Sequence, residues 1–333
     1  MINHISSFLW LYILIAYCLD LIIGDPLWFP HPVRGIGWAI QQLEKALRRG
    51  KAERLSGCLL TLFIVGGTYS LATGVLYFAV RLHPYIGHAL SVIILWTTLA
   101  TKDLYVHSKQ VYKPLAQRDL PTARRMLSRI VGRDTDKLDE PEVVRATVET
   151  IAENVVDGIT APLFYAILFG APAALAYKAA STLDSMVGYK NERYKNFGWA
   201  SARFDDIVNF IPARVTGILI PFVALCIGFD IRNSWRIFWR DRKKHPSPNS
   251  AHAEAAFAGA LNVRLGGTST YSGVPSHKEF LGDANRPLEI NTIRRAQLLM
   301  FATSAMFLAF GLICSLCSPT TSSYGRWLIS QNG

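Results

Sequence analysis

The sequence predicts an all-α polytopic membrane protein: about four full transmembrane helices, two broken or re-entrant helices, and cytoplasmic amphipathic helices. Three observations carry this expectation. Only 18% of the 333 residues are charged, against about a quarter in a soluble globular protein. Half are hydrophobic, with a mean hydropathy of +0.22. Several apolar runs approach the ~20 residues that a helix needs to cross the hydrocarbon core. The formal net charge of +11 does not point to nucleic acid. The basic residues cluster between apolar runs, where membrane topology puts them, and no zinc-finger, helix-turn-helix or basic stripe with interleaved aromatics occurs. No nucleic-acid partner is expected, and without HExxH or paired-Cys spacing no zinc site either.

The first apolar run, Phe8–Gly24, has His4 but no Lys or Arg ahead of it and no small-residue cleavage pattern behind it, so it reads as a retained span. It contains Asp20, and Pro26, Pro30 and Pro32 stiffen the exit. Arg34, Lys45, Arg48, Arg49, Lys51 and Arg54 then mark a cytoplasmic segment. Leu55–Val80 and Ile86–Ala100 follow across a short connection poor in basic residues. In the basic stretch from Lys102 to Asp157, a helix after Pro121 places Leu127, Ile130 and Val131 on one side. Pro141 starts another, with Asp139, Glu140 and Glu142 at its positive end. Val144, Val148, Ile151 and Val155 form the apolar face of that helix.

The next run, Ile159–Ala180, is interrupted by Pro162, Gly170 and Pro172, and Ile207–Phe229 follows it. If the first of these crossed, Lys190, Arg193, Lys195 and Arg203 would fall outside, against their charge. A re-entrant pair satisfies the basic residues better. Ala296–Cys317 is the last span. The whole chain, 1–333, is expected to be one integral membrane domain, with polar segments 25–54, 102–158, 181–206 and 230–295 forming its active face.

Chemistry concentrates in those segments. Glu149, Glu153 and Asp157 recur every four residues and share a helix face, which costs a few tenths of a kcal/mol per like-charged pair and more where the dielectric falls. A cation must compensate, either Mg²⁺ or a side chain such as Lys178; the alternative is a solvated acidic face that includes Arg145. Asn154 and Asp157 directly precede the broken run. Lys178 and Asp184 end an apolar helix, where ionisable groups are functional candidates. Arg203, Asp205, Asp206, Asn209 and Arg214 follow, with Asp205 and Asn209 on one face. Hard oxygen ligands of this kind suit Mg²⁺ held jointly with phosphate oxygens, and Lys190 and the arginines suit an anionic group. An interhelical ion-pair network is the structural alternative.

Tyr189, Tyr194, Phe197, Trp199 and Phe204 read as interface anchors, or together as a platform for a flat ligand. For Asp25 and His31 the functional and structural readings balance. The turn His245–Ser250, with Asn249, leads into a helix. Gly266-Gly267 is a candidate for presenting amides to phosphate, and no Walker motif occurs.

Together these stretches resemble the cobinamide-phosphate synthase family of cobalamin assembly, CbiB/CobD. They are Leu19-Asp-Leu-Ile-Ile-Gly-Asp-Pro with His31-Pro; Glu149-Thr-Ile-Ala-Glu-Asn with Asp157-Gly; Tyr177-Lys with Thr182-Leu-Asp-Ser-Met-Val-Gly-Tyr-Lys; Ala202-Arg-Phe-Asp-Asp with Asn209 and Pro212-Ala-Arg; and Ser247-Pro-Asn with Glu254-Ala-Ala and Leu265-Gly-Gly. They run in order over most of the chain; Ser250-Ala-His-Ala departs from a glycine-containing turn.

The resemblance implies an ATP- and Mg²⁺-dependent ligase that joins the carboxylate of (adenosyl)cobyric acid to the amine of aminopropanol or ethanolamine phosphate. It implies that Glu153, Asp157, Asp184, Asp205 and Asp206 are catalytic, with Asp157, Asp184 and Asp205 holding metal. Asp25, Asn154, Lys178, Lys190, Arg203, Asn209, Arg214 and Asn249 would bind substrate. The expected setting is a bacterial inner membrane, active face cytoplasmic, among lipids. Other late cobalamin-assembly enzymes or a second copy are the expected partners. Rival readings are a corrinoid or anion transporter and an AmpE-type signalling protein.

Overall fold

The computed structural model describes residues 9–26, 28–48, 52–189 and 191–317. Lys190, expected to contact an anion, lies outside the described residues, as do Arg49 and Lys51.

In chain order the elements are α1 (Leu9–Ile22), α2 (Pro32–Leu47), α3 (Glu53–Thr61), a π turn (Leu62–Gly66), α4 (Gly67–Leu82), α5 (Pro84–Trp96), α6 (Thr101–Ala116), α7 (Leu120–Leu127) and α8 (Glu140–Val155). A second π turn (Val156–Thr160) leads to α9 (Ala161–Phe169), α10 (Ala171–Val187), α11 (Trp199–Val208), α12 (Phe210–Cys226), α13 (Ile231–Asp241) and α14 (Ser250–Leu261). The strands β1 (Leu265–Tyr271) and β2 (Val274–Leu281) and the long α15 (Ile290–Cys317) complete the chain.

Four helical stretches are long and apolar enough to cross a membrane: Glu53–Leu82, Pro84–Ala116, Glu140–Phe169 and Ile290–Cys314. A fifth exists if α11 and α12, on either side of Asn209, count as one broken span. The described part of the first run, α1, is apolar but only 14 residues long. The chain is a polytopic, essentially all-α membrane protein.

Three expectations change. The run 159–180 is interrupted at Gly170 as expected, but its first half belongs to a longer helix that Pro162 does not break. The apolar helix starts at Glu140, passes through the π turn and stops at Phe169. Gly170, at φ +81°, then breaks it, and Pro172 in the first turn of α10 restarts helix. Glu149, Glu153 and Asp157 therefore lie within a span-length helix, and the π turn carries Asp157 out of the simple four-residue register. The helix after Pro121 ends at Leu127, so Ile130 and Val131 lie beyond it, half-buried. The expected helix start at Pro141 holds: Asp139 and Glu142 form a reciprocal capping box. Val144, Val148, Ile151 and Val155 are all fully buried, each worth about 1.5–3 kcal/mol of apolar transfer.

The backbone contacts divide the chain into two units, residues 1–100, 161–208 and 308–333, and residues 101–160 and 209–307. In the first unit α10 is the hub, packed on α2, α4, α5, α9 and α11. Its buried face is built from Ala171, Ala174, Ala176, Ala179 and Ala180. Such small residues let neighbouring backbones approach closely, the usual basis of helix association in membranes.

In the second unit α14 has the same role, packed on α8, α12, α13 and the hairpin, with Ala251, Ala253, Ala255, Ala256, Ala258 and Ala260 fully buried. The antiparallel hairpin β1–β2 supplies the only strands among the described residues. Ser272 and Gly273, at φ +50° and +81°, make its tight turn. The Asp134 carboxylate accepts from both of their amides, at 3.1 and 2.8 Å.

Candidate functional site

In the first unit, Lys178 and Asp184 sit half-buried on α10. A Cβ at Gly188 would stand 1.8 Å from Asp184 Oδ1, so only glycine lets the chain leave α10 across that carboxylate. Asp205 and Asp206 follow on α11, where Arg203 lies 4.0 Å from Asp206. The Tyr165 hydroxyl donates to the Val208 carbonyl at 2.9 Å, and its ring stacks on Tyr177 at 5.2 Å. Asp25 lies 3.3 Å from His31, whose Nδ1 in turn caps α2 by accepting from the Val33 amide at 3.3 Å.

Glu44 organises a pocket of about 590 Å³ lined by Gln41, Glu44, Lys45, Arg48 and Arg193. Its Oε1 accepts from Arg48 at 3.0 Å, Arg193 at 3.1 Å and the Tyr194 hydroxyl at 3.1 Å. Tyr194 and Phe197, read as interface anchors or as part of a ligand platform, flank the Arg48 guanidinium, 5.1 and 5.6 Å from its carbon.

In the second unit, the carboxylates of α8 meet an internal partner that the spacing did not reveal. Arg133 pairs with Glu149 at 2.6 Å, both side chains less than a tenth exposed. The Gly266 amide donates to the other Glu149 oxygen at 2.8 Å. Three readings are thereby corrected. The cation beside Glu149 is Arg133 rather than Lys178. The Gly266 amide is spent on a carboxylate instead of a phosphate. Arg145 reaches away to the carbonyls of Gly266 and Thr268 and Glu149 is buried, so the face is not the solvated acidic stripe with Arg145 on it, although Glu153 and Asp157 are only half-buried.

Asn154 bonds back to the Thr150 carbonyl at 2.9 Å. Glu153 accepts from the Ser250 hydroxyl at 3.3 Å. Beside it the buried Glu254 is pushed up to about 8 by desolvation and by the charges of Glu153 and Glu149. Arg214 donates to Asn249 at 3.3 Å. Asn209 is buried and is the N-cap of α12; it belongs to the second unit and Asp205 to the first.

Of the three residues expected to hold metal, Asp184 and Asp205 belong to the first unit and Asp157 to the second. Among the described residues, no three His, Cys, Asp or Glu side chains form a group suited to a metal ion on their own. Separate carboxylates do fit Mg²⁺ in its usual enzyme setting, where one or two of them complete a shell made mostly of water and substrate phosphate.

Sequence reasoning missed Arg133, Glu44, Arg242, His252 and the protonation of Glu254. Each acts through a partner distant in sequence, and Ala-rich α14 gave no sign that its two ionisable residues face opposite kinds of neighbour.

These features define a multi-pass membrane protein that carries ionisable side chains on small-residue helices. The chain belongs to the CobD/CbiB family: the family described as CobD/Cbib protein matches residues 13–300. It is 51% identical to the cobalamin biosynthesis protein CobD of Geobacter metallireducens over 90% of this chain and 95% of the relative. It is 46% identical to the cobalamin biosynthesis protein CbiB of Salmonella typhimurium over 91% and 96%. To CobD of Leptospira interrogans it is 45% identical over 90% and 96%. No solved structure matches. Family membership over nearly the whole chain does not favour the transporter and signalling readings.

Proposed function

We infer that this chain is the cobalamin-biosynthesis enzyme that forms an amide between the corrinoid carboxylate of (adenosyl)cobyric acid and the amine of aminopropanol or ethanolamine phosphate, giving (adenosyl)cobinamide phosphate. The observation that carries the reading is the family match across residues 13–300. It accords with acidic and basic side chains gathered on α8, α10, α11 and α14.

Carboxylate and amine do not condense spontaneously in water near neutral pH, so the acid must be activated. ATP with Mg²⁺ is the proposed source; when bound, it would supply the activating phosphoryl group and neutralise its charge. The proposed metal-holding carboxylates are Asp184 and Asp205 in the first unit and Asp157 in the second, each able to complete a shell of water and phosphate oxygens. The protein's task is then positioning and charge neutralisation. Lys178, Lys190, Arg203 and Arg214 would bind phosphate or acyl-phosphate oxygens. Asp206 and Glu153 are the proposed acceptors of the ammonium proton, which must leave before nitrogen can attack. Asp25, Asn154, Asn209 and Asn249 would orient the substrates. The proposed setting is a bacterial inner membrane with the active face cytoplasmic, where ATP is available; association with other late cobalamin-assembly enzymes or with a second copy would pass on a bulky corrinoid.

Purified protein in detergent, given adenosylcobyric acid, O-phosphoethanolamine and Mg-ATP, should yield the amide by mass spectrometry with ATP consumed. No product from intact protein would overturn the reading. Asp184→Ala and Asp205→Ala should each abolish turnover while membrane insertion is retained; full activity in both removes them from the site.

A further inference from the structure

The basic residues at the end of α13 differ sharply in how they are compensated. Arg240 and Lys244 pair with the buried Asp241 at 2.8 and 2.7 Å, and Arg236 and Arg240 both pair with Asp283. Between them, Arg242 has no carboxylate partner among the described residues. Its Nε is buried without a hydrogen-bond acceptor, and its guanidinium lies 4.2 Å from the Trp239 ring centre. It is within electrostatic reach of Arg214 on α12, which also has no ion pair among the described residues. Arg214 lies over Phe210 at 3.3 Å, and its Nη1 donates to the Phe210 carbonyl at 2.6 Å and to Asn249 at 3.3 Å.

Asn249 is the N-cap of α14, and its side chain does not cap the helix; nor does the first turn contain an acid. In that turn sits His252, 2% exposed, with Nδ1 lacking any partner among the described residues. Both arginines act on it electrostatically. Its place is fixed by packing: a Cβ at Gly217, one turn along α12 from Arg214, would stand 2.6 Å from Phe238 and 2.9 Å from the His252 carbonyl.

Two arginines without an ion pair among the described residues, a buried imidazole and the positive end of a 12-residue helix with no acid in its first turn thus converge. Like charges held this way in a low-dielectric setting are unfavourable unless an anion joins them, and a helix N-terminus with guanidinium groups is the usual cradle for phosphate. Glu153 faces the same helix end through Ser250 at 3.3 Å and forms no ion pair among the described residues, while Asp241, next to Arg242 in sequence, is already paired with Arg240 and Lys244. Positive and negative groups therefore flank one helix terminus, and the ligand that matches both is a small zwitterion.

We propose that Arg214, Arg242, His252 and the N-terminus of α14 bind the phosphate of a phosphate monoester whose ammonium is received by Glu153. This rests on the proposed ligase reading, to which it adds Arg242 and His252 and assigns the phosphate of the amine substrate to one site.

The test uses the full chain in detergent, with O-phosphoethanolamine, ethanolamine, ATP and phosphatidylglycerol as probes in calorimetry. Wild type should bind O-phosphoethanolamine and not ethanolamine. The double variant Arg214→Gln/Arg242→Gln should weaken binding by about tenfold or more, and Arg242→Lys, which retains charge and guards against misfolding, should lose less. Unchanged affinity in the double variant overturns the proposal. So does displacement of O-phosphoethanolamine by phosphatidylglycerol micelles, which would make this a lipid site, or by ATP alone, which would make it a nucleotide site. Arginine-dependent binding without amide formation would uphold the site and refute the ligase reading; amide formation with unchanged binding in the double variant would do the reverse.

Discussion

Glu254 and His252 stand two residues apart on one buried alanine-rich helix, yet their surroundings are opposite. Glu254 faces the carboxylates of α8 and is held in its protonated form, pushed up to about 8. His252 faces arginines and is held neutral, pushed down to about 4 by desolvation and then by Arg214 and Arg242. Burial alone would neutralise both. What distinguishes them is the sign of the neighbouring charge, and the difference teaches that α14 separates an acidic side from a basic side within one unit. On the acidic side the protein supplies its own counter-charge through Arg133; on the basic side neither Arg214 nor Arg242 has an ion pair among the described residues.

The comparison breaks most visibly at Arg133. Replacing it with Met leaves Glu149 buried with only the Gly266 amide, and removal of one partner from a buried ion pair costs about 3–5 kcal/mol. The expected outcome is a large fall in the thermal midpoint in detergent, with much of it recovered in Arg133→Met/Glu149→Gln, where no carboxylate is stranded. A midpoint close to wild type in the single variant would mean that the acidic side is not compensated internally.

The next effect sharpens the acidic side. The folded pKa of Glu254 is raised, so its contribution to stability is fully present below the ordinary value of 4.5 and is lost as pH rises through about 8. Between pH 5 and pH 8 the unfolded carboxyl is ionised while the folded one retains its proton, and the loss is on the order of 3 kcal/mol. Glu254→Gln removes the titrating group, so its melting midpoint should vary less over that range. Equal slopes in both proteins would show that Glu254 is not held protonated.

Much of the fold was legible because it rests on periodic apolar burial. Val144, Val148, Ile151 and Val155 sit where their spacing puts them, and the capping box at Asp139 begins the helix as its chemistry requires. Element boundaries failed at the start of a helix: the break read at Gly170 is where the helix stops, but that helix runs through Pro162 without ending and begins at Glu140 rather than Ile159. The candidate site was less legible. Spacing along α8 brought Glu149 and Glu153 together correctly as an acidic group, yet nothing local identifies Arg133 as their cation or the Gly266 amide as the second donor. Those are tertiary facts, set by where a loop and a hairpin return.

The smallest expected effect is on the basic side. The folded pKa of His252 is depressed, so its contribution is present above the ordinary value of 6.5 and is lost as pH falls toward about 4. Between pH 7 and pH 5 the unfolded imidazole takes up a proton that the folded one refuses, which costs about 2 kcal/mol. His252→Asn should therefore flatten the acid limb of the stability profile, opposite in direction to Glu254→Gln. Phosphate supplies a sharper version of the same measurement. An anion between Arg214 and Arg242 removes part of the repulsion that keeps His252 neutral, so saturating O-phosphoethanolamine should shift the acid limb of wild type to lower pH and leave that of His252→Asn where it is. If the ligand moves both limbs equally, His252 is buried beside the anion site without sensing it, and the contrast between the two sides of α14 reduces to packing.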